Sequence, residues 1–390
     1  MKDNIREKET PRWVRIFSCV LFGAYAFIYI YAFQADALAL TQHMLSCGQT
    51  QFNPPVGSCV ITLLALGLQC LSQRLLPFGG GFYPLSFIPS AVFLVLLTAF
   101  TPSVSHGAIV AAAAALLAWV ASYFLLARQR KQTSTPTPRL VLYNATVGCL
   151  VAVFFFIGLA GQTNDVWHYE LRTARYLNEG KHDKALSVGE RSLATSPVLT
   201  ALRAFAMSHE PEGLGGHLFE RPLPEGGAAL LYLERGDTAR MLFPPDSLYA
   251  YLGKAPRENE APQRYFERVA KTYRKYAYRT SARDYWLCSL LLEKQLDRFA
   301  RELPLFYEVS DSTDLPRYYA EALILYNRLR TKPVVLYSNA AVGANFRDFM
   351  EMEKLYTDPT VRRNKLWHTY GETYFWYYLY HPYQGTGKKE

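Results

Sequence analysis

The stretch RYFERVAKTYRKYAYRTSARDYW places Arg264, Arg268, Lys271, Lys275 and Arg279 at spacings of four, three, four and four. On a helix these residues form one basic stripe, with Tyr265, Phe266, Val269, Tyr273 and Tyr276 lying away from it. Such a stripe either faces water or attracts an anionic lipid headgroup, an acidic glycan or an acidic partner. Basic groups interleaved with aromatics also suit nucleic acid, a reading that the topology below argues against. Further along, YGETYFWYYLYHPY (Tyr370 to Tyr383) holds nine aromatic side chains, counting His381, in fourteen positions. Trp367, Tyr370, Tyr374, Tyr377 and His381 share a helical face suited to closing the end of a helical stack. Trp376 and Tyr380 fall on another face, left for a partner or for the bilayer interface.

Other chemistry-bearing motifs are weak. His209 and His217 bracket HEPEGLGGH without the two-histidine helical spacing of a zinc site, so this segment reads as a loop. EGLGG and FGGG lack the lysine and the strand-to-helix context of a phosphate loop. ERGD (Glu234 to Asp237) reads as a turn, and GERS and SHEP bring no nucleophile, base and orienter together. Without CxxC, HExxH or a Cys/His cluster, neither a metal nor a cofactor is expected. Cys19, Cys70 and Cys149 sit in apolar runs as small fillers, and Cys288 reads as a buried helix residue. Cys47 and Cys59 flank CGQTQFNPPVGSC; an oxidising compartment permits them to pair, though spacing does not fix the geometry of a bridge.

The elements that position these residues fall into two parts. Residues 1–161 contain five long apolar runs: 13–33, 57–76, 82–100, 107–127 and 140–161. The expected organisation is a cytoplasmic N-terminus over 1–12, a five-helix membrane domain over 13–161 and an extracytoplasmic domain over 162–390. No ionisable residue lies well inside these spans, which argues against a transporter. Most of the formal net charge of +9 belongs to the membrane half. Its Lys and Arg cluster before the first span, at Arg74 and in RQRKQTSTPTPR, whereas Gln34 to Val56 and Thr101 to His106 carry none. Basic short loops stay inside. Five crossings then put everything after Gly161 outside the cytoplasm, in the periplasm of a bacterium.

In WHYELRTARYLNEGKHDKALSVGERSLATSP, apolar and small residues recur at helical intervals on both sides of NEGKHD. This predicts a helix hairpin with Tyr169, Thr173 and Tyr176 on the inner face, a turn at Gly180, and a second helix from about His182 to near Pro197. That second helix should carry Ala185, Leu186 and Leu193 inward. Tyr169, Tyr176, Gly180, Ala185 and Pro197 resemble the signature of a tetratricopeptide repeat. Arg172 and Thr173 replace its leucine-glycine pair, and Gly189 stands where an aromatic is common. With GKHDKALSVGE, LTALRAFAMS, LPRYYAEALILY and TYFWYYLY behind a multi-span first half, the chain is similar to an uncharacterised family of polytopic membrane proteins from Bacteroidota. That resemblance implies a helical-repeat domain and a bacterial envelope location, but no reaction.

The expected fold is all-α: five transmembrane helices followed by an extracytoplasmic TPR-like α-α superhelical domain. The expected role is non-enzymatic, a multi-pass inner-membrane scaffold whose periplasmic domain binds an envelope protein or peptide, with the lipid bilayer as its other partner. The alternative is an envelope enzyme or carrier acting on lipid or glycan through a basic-aromatic surface.

Overall fold

The computed structural model describes residues 11–78, 80–99, 106–132, 139–234, 242–274, 280–310 and 313–386. Among them every regular element is helical, and the chain divides into two units, Met1–Asn164 and Asp165–Glu390. The boundary falls where the apolar runs stop.

In the first unit, α1 (Arg12–Ile28), a π-helical segment (Tyr29–Gln34) and α2 (Ala35–Leu45) run on as one apolar helix of 34 residues. The first expected span ended at Phe33, before Gln34 and Asp36. The structure instead carries both inward: Gln34 Nε2 donates to the Gln162 carbonyl at 3.0 Å, and Asp36 is 1% exposed. The wider π turn re-aims the residues after it, so that Ala35 through Thr41 are all buried. An ionisable group therefore lies within an apolar span, contrary to expectation.

Asn53 caps α3 (Pro54–Leu75) by accepting the Val56 N–H at 3.3 Å. A 3₁₀ segment (Gly80–Phe87) leads into α4 (Ile88–Thr98), and α5 (His106–Gln132) and α6 (Arg139–Ala160) complete the unit. Five stretches are long and apolar enough to cross a membrane: Arg12–Leu45, Pro54–Leu75, Gly81–Thr98, Gly107–Leu126 and Leu140–Ala160. The helices meet through aromatic rings and small residues. Phe22 and Phe87 lie 4.5 Å apart, Tyr25 stacks on Phe154 at 4.2 Å, and a Cβ at Gly81 would come within 2.8 Å of the Leu142 carbonyl on α6. Gln69, buried on α3, donates from Nε2 to the Tyr83 hydroxyl and to Ser86 Oγ, each at 2.9 Å. Hydrocarbon supplies no substitute for these bonds. Cys47 and Cys59, the candidate disulfide partners, are both exposed and unpaired in this structure. Cys47 sits in a turn at φ 49° and Cys59 within the first turns of α3.

The second unit begins with α7 (Asp165–Asn178), α8 (His182–Ser187), α9 (Pro197–Met207) and α10 (Gly213–His217). The α7–α8 hairpin is present. Gly180 at φ 70° closes α7, with Lys181 N–H bonded to the Tyr176 carbonyl and Gly180 N–H to that of Leu177, the paired bonds of a Schellman stop. The inner face consists of Leu171, Thr173, Ala174 and Leu177, while Tyr169 and Tyr176 are only half-buried.

The second helix is much shorter than predicted. It stops at Ser187; Val188 turns extended and Gly189 takes φ 61°. A Cβ at Gly189 would meet the Tyr169 ring at 3.0 Å and Arg203 Nη2 at 3.2 Å, so the chain here is pressed against two side chains that leave no room for an aromatic. Leu193, expected inside, is 64% exposed. Pro197 does not close α8 but opens α9 behind the cap Ser196, which accepts the Leu199 N–H at 3.0 Å.

Next come a 3₁₀ turn (Gly227–Leu231), α11 (Pro245–Leu252), α12 (Pro262–Tyr273), α13 (Thr280–Leu292), α14 (Leu296–Glu302), α15 (Arg317–Leu329), α16 (Ala340–Leu355), α17 (Pro359–Tyr370) and α18 (Tyr374–Tyr380). α13 and α15 form the centre. Tyr285 through Leu292 on α13 and Tyr318 through Tyr326 on α15 are buried without a break, which is the pattern of helices packed on every side.

Gln69→Leu, nearly equal in volume, removes both cross-helix bonds and strands two hydroxyls. A loss of about 1–2 kcal/mol is expected, read as a lower melting temperature in detergent with helix content unchanged below the transition. Wild-type stability in this variant would show that the bridge carries no weight.

Candidate functional site

Of the basic stripe, Arg264, Arg268 and Lys271 lie on α12, and two of these three are ion-paired. Arg264 is exposed. Arg268 grips Glu260 with both arms of its fork, Nε to Oε1 at 2.7 Å and Nη2 to Oε2 at 2.6 Å. These bonds hold the Glu260 carboxyl below its usual range and raise Arg268 in return. Lys271 pairs with Glu267 at 2.6 Å, and Glu267 also takes Arg298 at 2.8 Å. Lys275 and Arg279 lie outside the described residues. The spacing argument counted the cations and left out the carboxylates that meet them.

The aromatic run is also rearranged. A single helical face from Trp367 to His381 does not form, because the chain breaks at Gly371 to Thr373. A Cβ at Gly371 would come 2.4 Å from the Trp367 carbonyl, and Thr373 recaps the chain by accepting the Trp376 N–H at 3.3 Å. Trp367 is exposed on α17, whereas Tyr374, Phe375, Trp376, Tyr377 and Tyr378 are all buried on α18. Trp376, expected on a free face, is 8% exposed and belongs to the core. Tyr380 is half-buried, with its hydroxyl donated to Glu353; burial and that carboxylate push the phenol to about 12.

This packing gives α18 a specific task. The Tyr377 hydroxyl donates to the Leu292 carbonyl at 2.9 Å and the Tyr374 hydroxyl to that of Leu291 at 3.2 Å, which also accepts the Lys294 N–H at 3.0 Å, so two phenols join the backbone turn in closing the end of α13. At the start of α18, buried Glu321 on α15 accepts the Tyr374 N–H at 2.7 Å while pairing with Arg317 at 3.1 Å. Beyond α13, Lys294 is fully buried at φ 57°, its Nζ 3.1 Å from the His381 carbonyl and 5.3 Å from the Tyr377 ring centre. Neighbouring Glu293 accepts the Ala228 N–H at 2.9 Å, the Tyr383 hydroxyl at 3.0 Å and Thr386 Oγ1 at 3.1 Å. Residues 381–386 are thereby tied to the end of α13. Nothing in the local spacing of EKQ points to this junction.

HEPEGLGGH, read as a loop, ends in the short helix α10, and His209 and His217 take separate partners. His217 pairs with Glu220 at 3.0 Å. His209 stacks on His182, ring centres 3.9 Å apart, with Tyr251 on a further stack at 4.6 Å, and Phe205 borders both histidines. Burial, followed by the charge of His209, lowers the His182 pKa, and Asp183 opposes the shift. No group of three metal-ligating side chains occurs among the described residues. Asp284 accepts from Tyr307 at 2.5 Å and Tyr319 at 3.0 Å, and the Cys288 thiol, buried as expected, lies 3.6 Å from the Tyr319 hydroxyl.

Residues 257–381 match a family of unknown function (DUF6057). The matched third of the chain contains the ion-paired stripe, central α13 and α15, and aromatic α18; the α7–α8 hairpin lies before it. No curated protein and no solved structure matches the chain.

Trp376→Ala should cost about 3–5 kcal/mol, the range for emptying a large aromatic site, visible as a lower denaturation midpoint. A change within about 0.5 kcal/mol would place the indole on the surface instead. Acid should weaken the second unit through His182. The fold favours the neutral ring, so its contribution is complete above the unfolded-chain value of 6.5 and is lost as pH falls through the depressed native value. Melting temperatures measured from about pH 7.5 down to about pH 5 should fall less in His182→Gln than in the wild type; parallel curves would remove His182 as the cause.

Proposed function

We propose that this protein is a non-enzymatic, membrane-anchored interaction protein, whose first unit fixes the second in the periplasm to bind an envelope protein or peptide. The observation that carries the reading is where the second unit leaves apolar side chains uncovered. Of its eight large exposed hydrophobic residues among the described ones, six fall between Leu329 and Trp367: Leu329, Val334, Leu336, Leu355, Val361 and Trp367. They sit on α15 to α17 and the connection 330–339. Exposed Lys332, Lys354, Arg363 and Lys365 border them in sequence. Apolar surface with a basic margin suits a partner segment that carries both apolar and acidic side chains.

The basic residues before α1, at Arg74 and between α5 and α6, taken with five candidate spans, support the periplasmic side. The α7–α8 hairpin supports a repeat-like origin for the second unit, with later helix pairs of unequal length standing in place of regular repeats. The alternative of an envelope enzyme or carrier on lipid or glycan drew on the basic stripe. Arg268 and Lys271 are committed to Glu260 and Glu267, which favours protein binding.

Crosslinking in native membranes followed by purification should recover a stoichiometric partner with the wild type and lose it with Leu336→Glu plus Leu355→Glu, both at exposed positions. Equal recovery by the double variant, or recovery of lipid alone, would defeat the reading. Alkaline phosphatase fused within the second unit should be active; an inactive fusion beside an active cytoplasmic reporter would reverse the orientation.

A further inference from the structure

The second unit contains a pair of arginines, one of them buried, with no ion pair to a carboxylate among the described residues. Arg203 projects from the middle of α9 and is 2% exposed. Its Nη2 donates to the Val188 carbonyl at 2.9 Å, while Nε is sealed from solvent and has no acceptor. Arg221, half-buried after α10, donates Nη1 to the Glu190 carbonyl at 2.6 Å and Nη2 to the Leu186 carbonyl at 3.1 Å. Two guanidinium groups thus close on one turn, residues 186–190. Gly189 brings that turn to Arg203 as closely as backbone allows, since a Cβ there would lie 3.2 Å from Nη2.

Arg203 and Arg221 both line a small cavity together with Thr200, Met207, Leu218 and Leu223, with room of about 10 Å³. That is the space of one water-sized group. Thr200 Oγ1 is already donated to the Ser196 carbonyl at 2.8 Å, so donors toward the cavity must come from the arginines. Burial, reinforced by the charge of Arg221 and opposed by Tyr169, lowers Arg203 to about 10. Neutral carbonyls satisfy some guanidinium N–H groups but do not balance two positive charges, one of them removed from water.

We propose that Arg203 and Arg221 form a binding site for a single anionic oxygen, supplied by a small oxyanion, either a carboxylate or inorganic phosphate, with that oxygen seated in the cavity. The guanidinium fork is the side chain suited to such an oxygen, because its N–H groups are fixed in one plane and keep their charge at any physiological pH. If the two arginines served only to pin the turn, added anions would change nothing.

The test uses full-length protein in detergent at constant pH and ionic strength, titrated separately with sodium acetate, sodium phosphate and sodium chloride. Acetate or phosphate should raise the melting temperature in a saturable way beyond chloride, and the salt that acts identifies the source of the oxygen. Arg221→Gln should weaken the apparent affinity by at least about tenfold, whereas Arg363→Gln on exposed α17 should leave it unchanged. Should Arg221→Gln fail to fold, Arg221→Lys, which keeps the charge and loses the fork, is read in the same way. Identical responses to the three salts, a shift that never saturates, or an unaltered affinity in the Arg221 variant would overturn the site.

Discussion

A helix packed on every side cannot give its last carbonyls to water. α13 is such a helix, buried without interruption from Tyr285 to Leu292, and the turn at Lys294 returns the N–H groups of Glu293, Lys294 and Gln295 to the carbonyls of Ser289, Leu291 and Leu290. Tyr377 adds a donor at Leu292 and Tyr374 a second one at Leu291, so a tyrosine-rich α18 completes what the chain's own turn begins. Supplying phenols creates its own demand: α18 must start at Tyr374, and Glu321 and Thr373 hold it there through the N–H groups of Tyr374 and Trp376. Lys294 and Glu293 then fasten the residues after it. Phe375 and Trp376 fill space that this arrangement leaves, which explains why so many adjacent aromatics are buried together.

The first unit meets the same backbone rule in a setting that is harsher still. Its five apolar helices satisfy their own ladders, and some of their polar side chains bond one another or a neighbouring carbonyl. Gln69 reaches Tyr83 and Ser86, Ser90 Oγ donates to the Ala65 carbonyl at 2.7 Å, and Tyr29 lies 3.3 Å from Thr98 Oγ1. The π segment at Tyr29–Gln34 shows how one local irregularity turns the next helix so that Gln34 and Asp36 point inward rather than end the span.

Length and apolarity made the five spans legible, since both are properties of a single segment. Gly180 was legible for the same reason: a Schellman stop is local. The premature end of α8 was not, because Gly189 is pressed by Tyr169 on α7 and Arg203 on α9, neither visible from spacing within the hairpin. Within the stripe on α12 Lys271 meets Glu267 one turn away on the same helix, a pairing that spacing could show, whereas Glu260 reaches Arg268 from before the helix and Arg298 comes to Glu267 from α14. Trp376 was assigned to the wrong face because periodicity was carried through Gly371, where the helix stops and restarts. Arg203 did leave a signal, one arginine in the otherwise apolar PVLTALRAFAM, that helical periodicity alone does not interpret.

The bonds from Tyr374 and Tyr377 to α13 join residues 83 and 85 positions apart. Contacts so distant along a chain form late, after the entropy of a long loop has been given up. At about 5–20 residues per second of synthesis, α13 emerges roughly 4–17 seconds before the helix that completes it. During that interval a helix that the folded unit buries from Tyr285 to Leu292 lacks the α18 phenols that bond Leu291 and Leu292. A chaperone or protease that meets the nascent domain therefore has a window whose length is set by the spacing of two helices in the sequence.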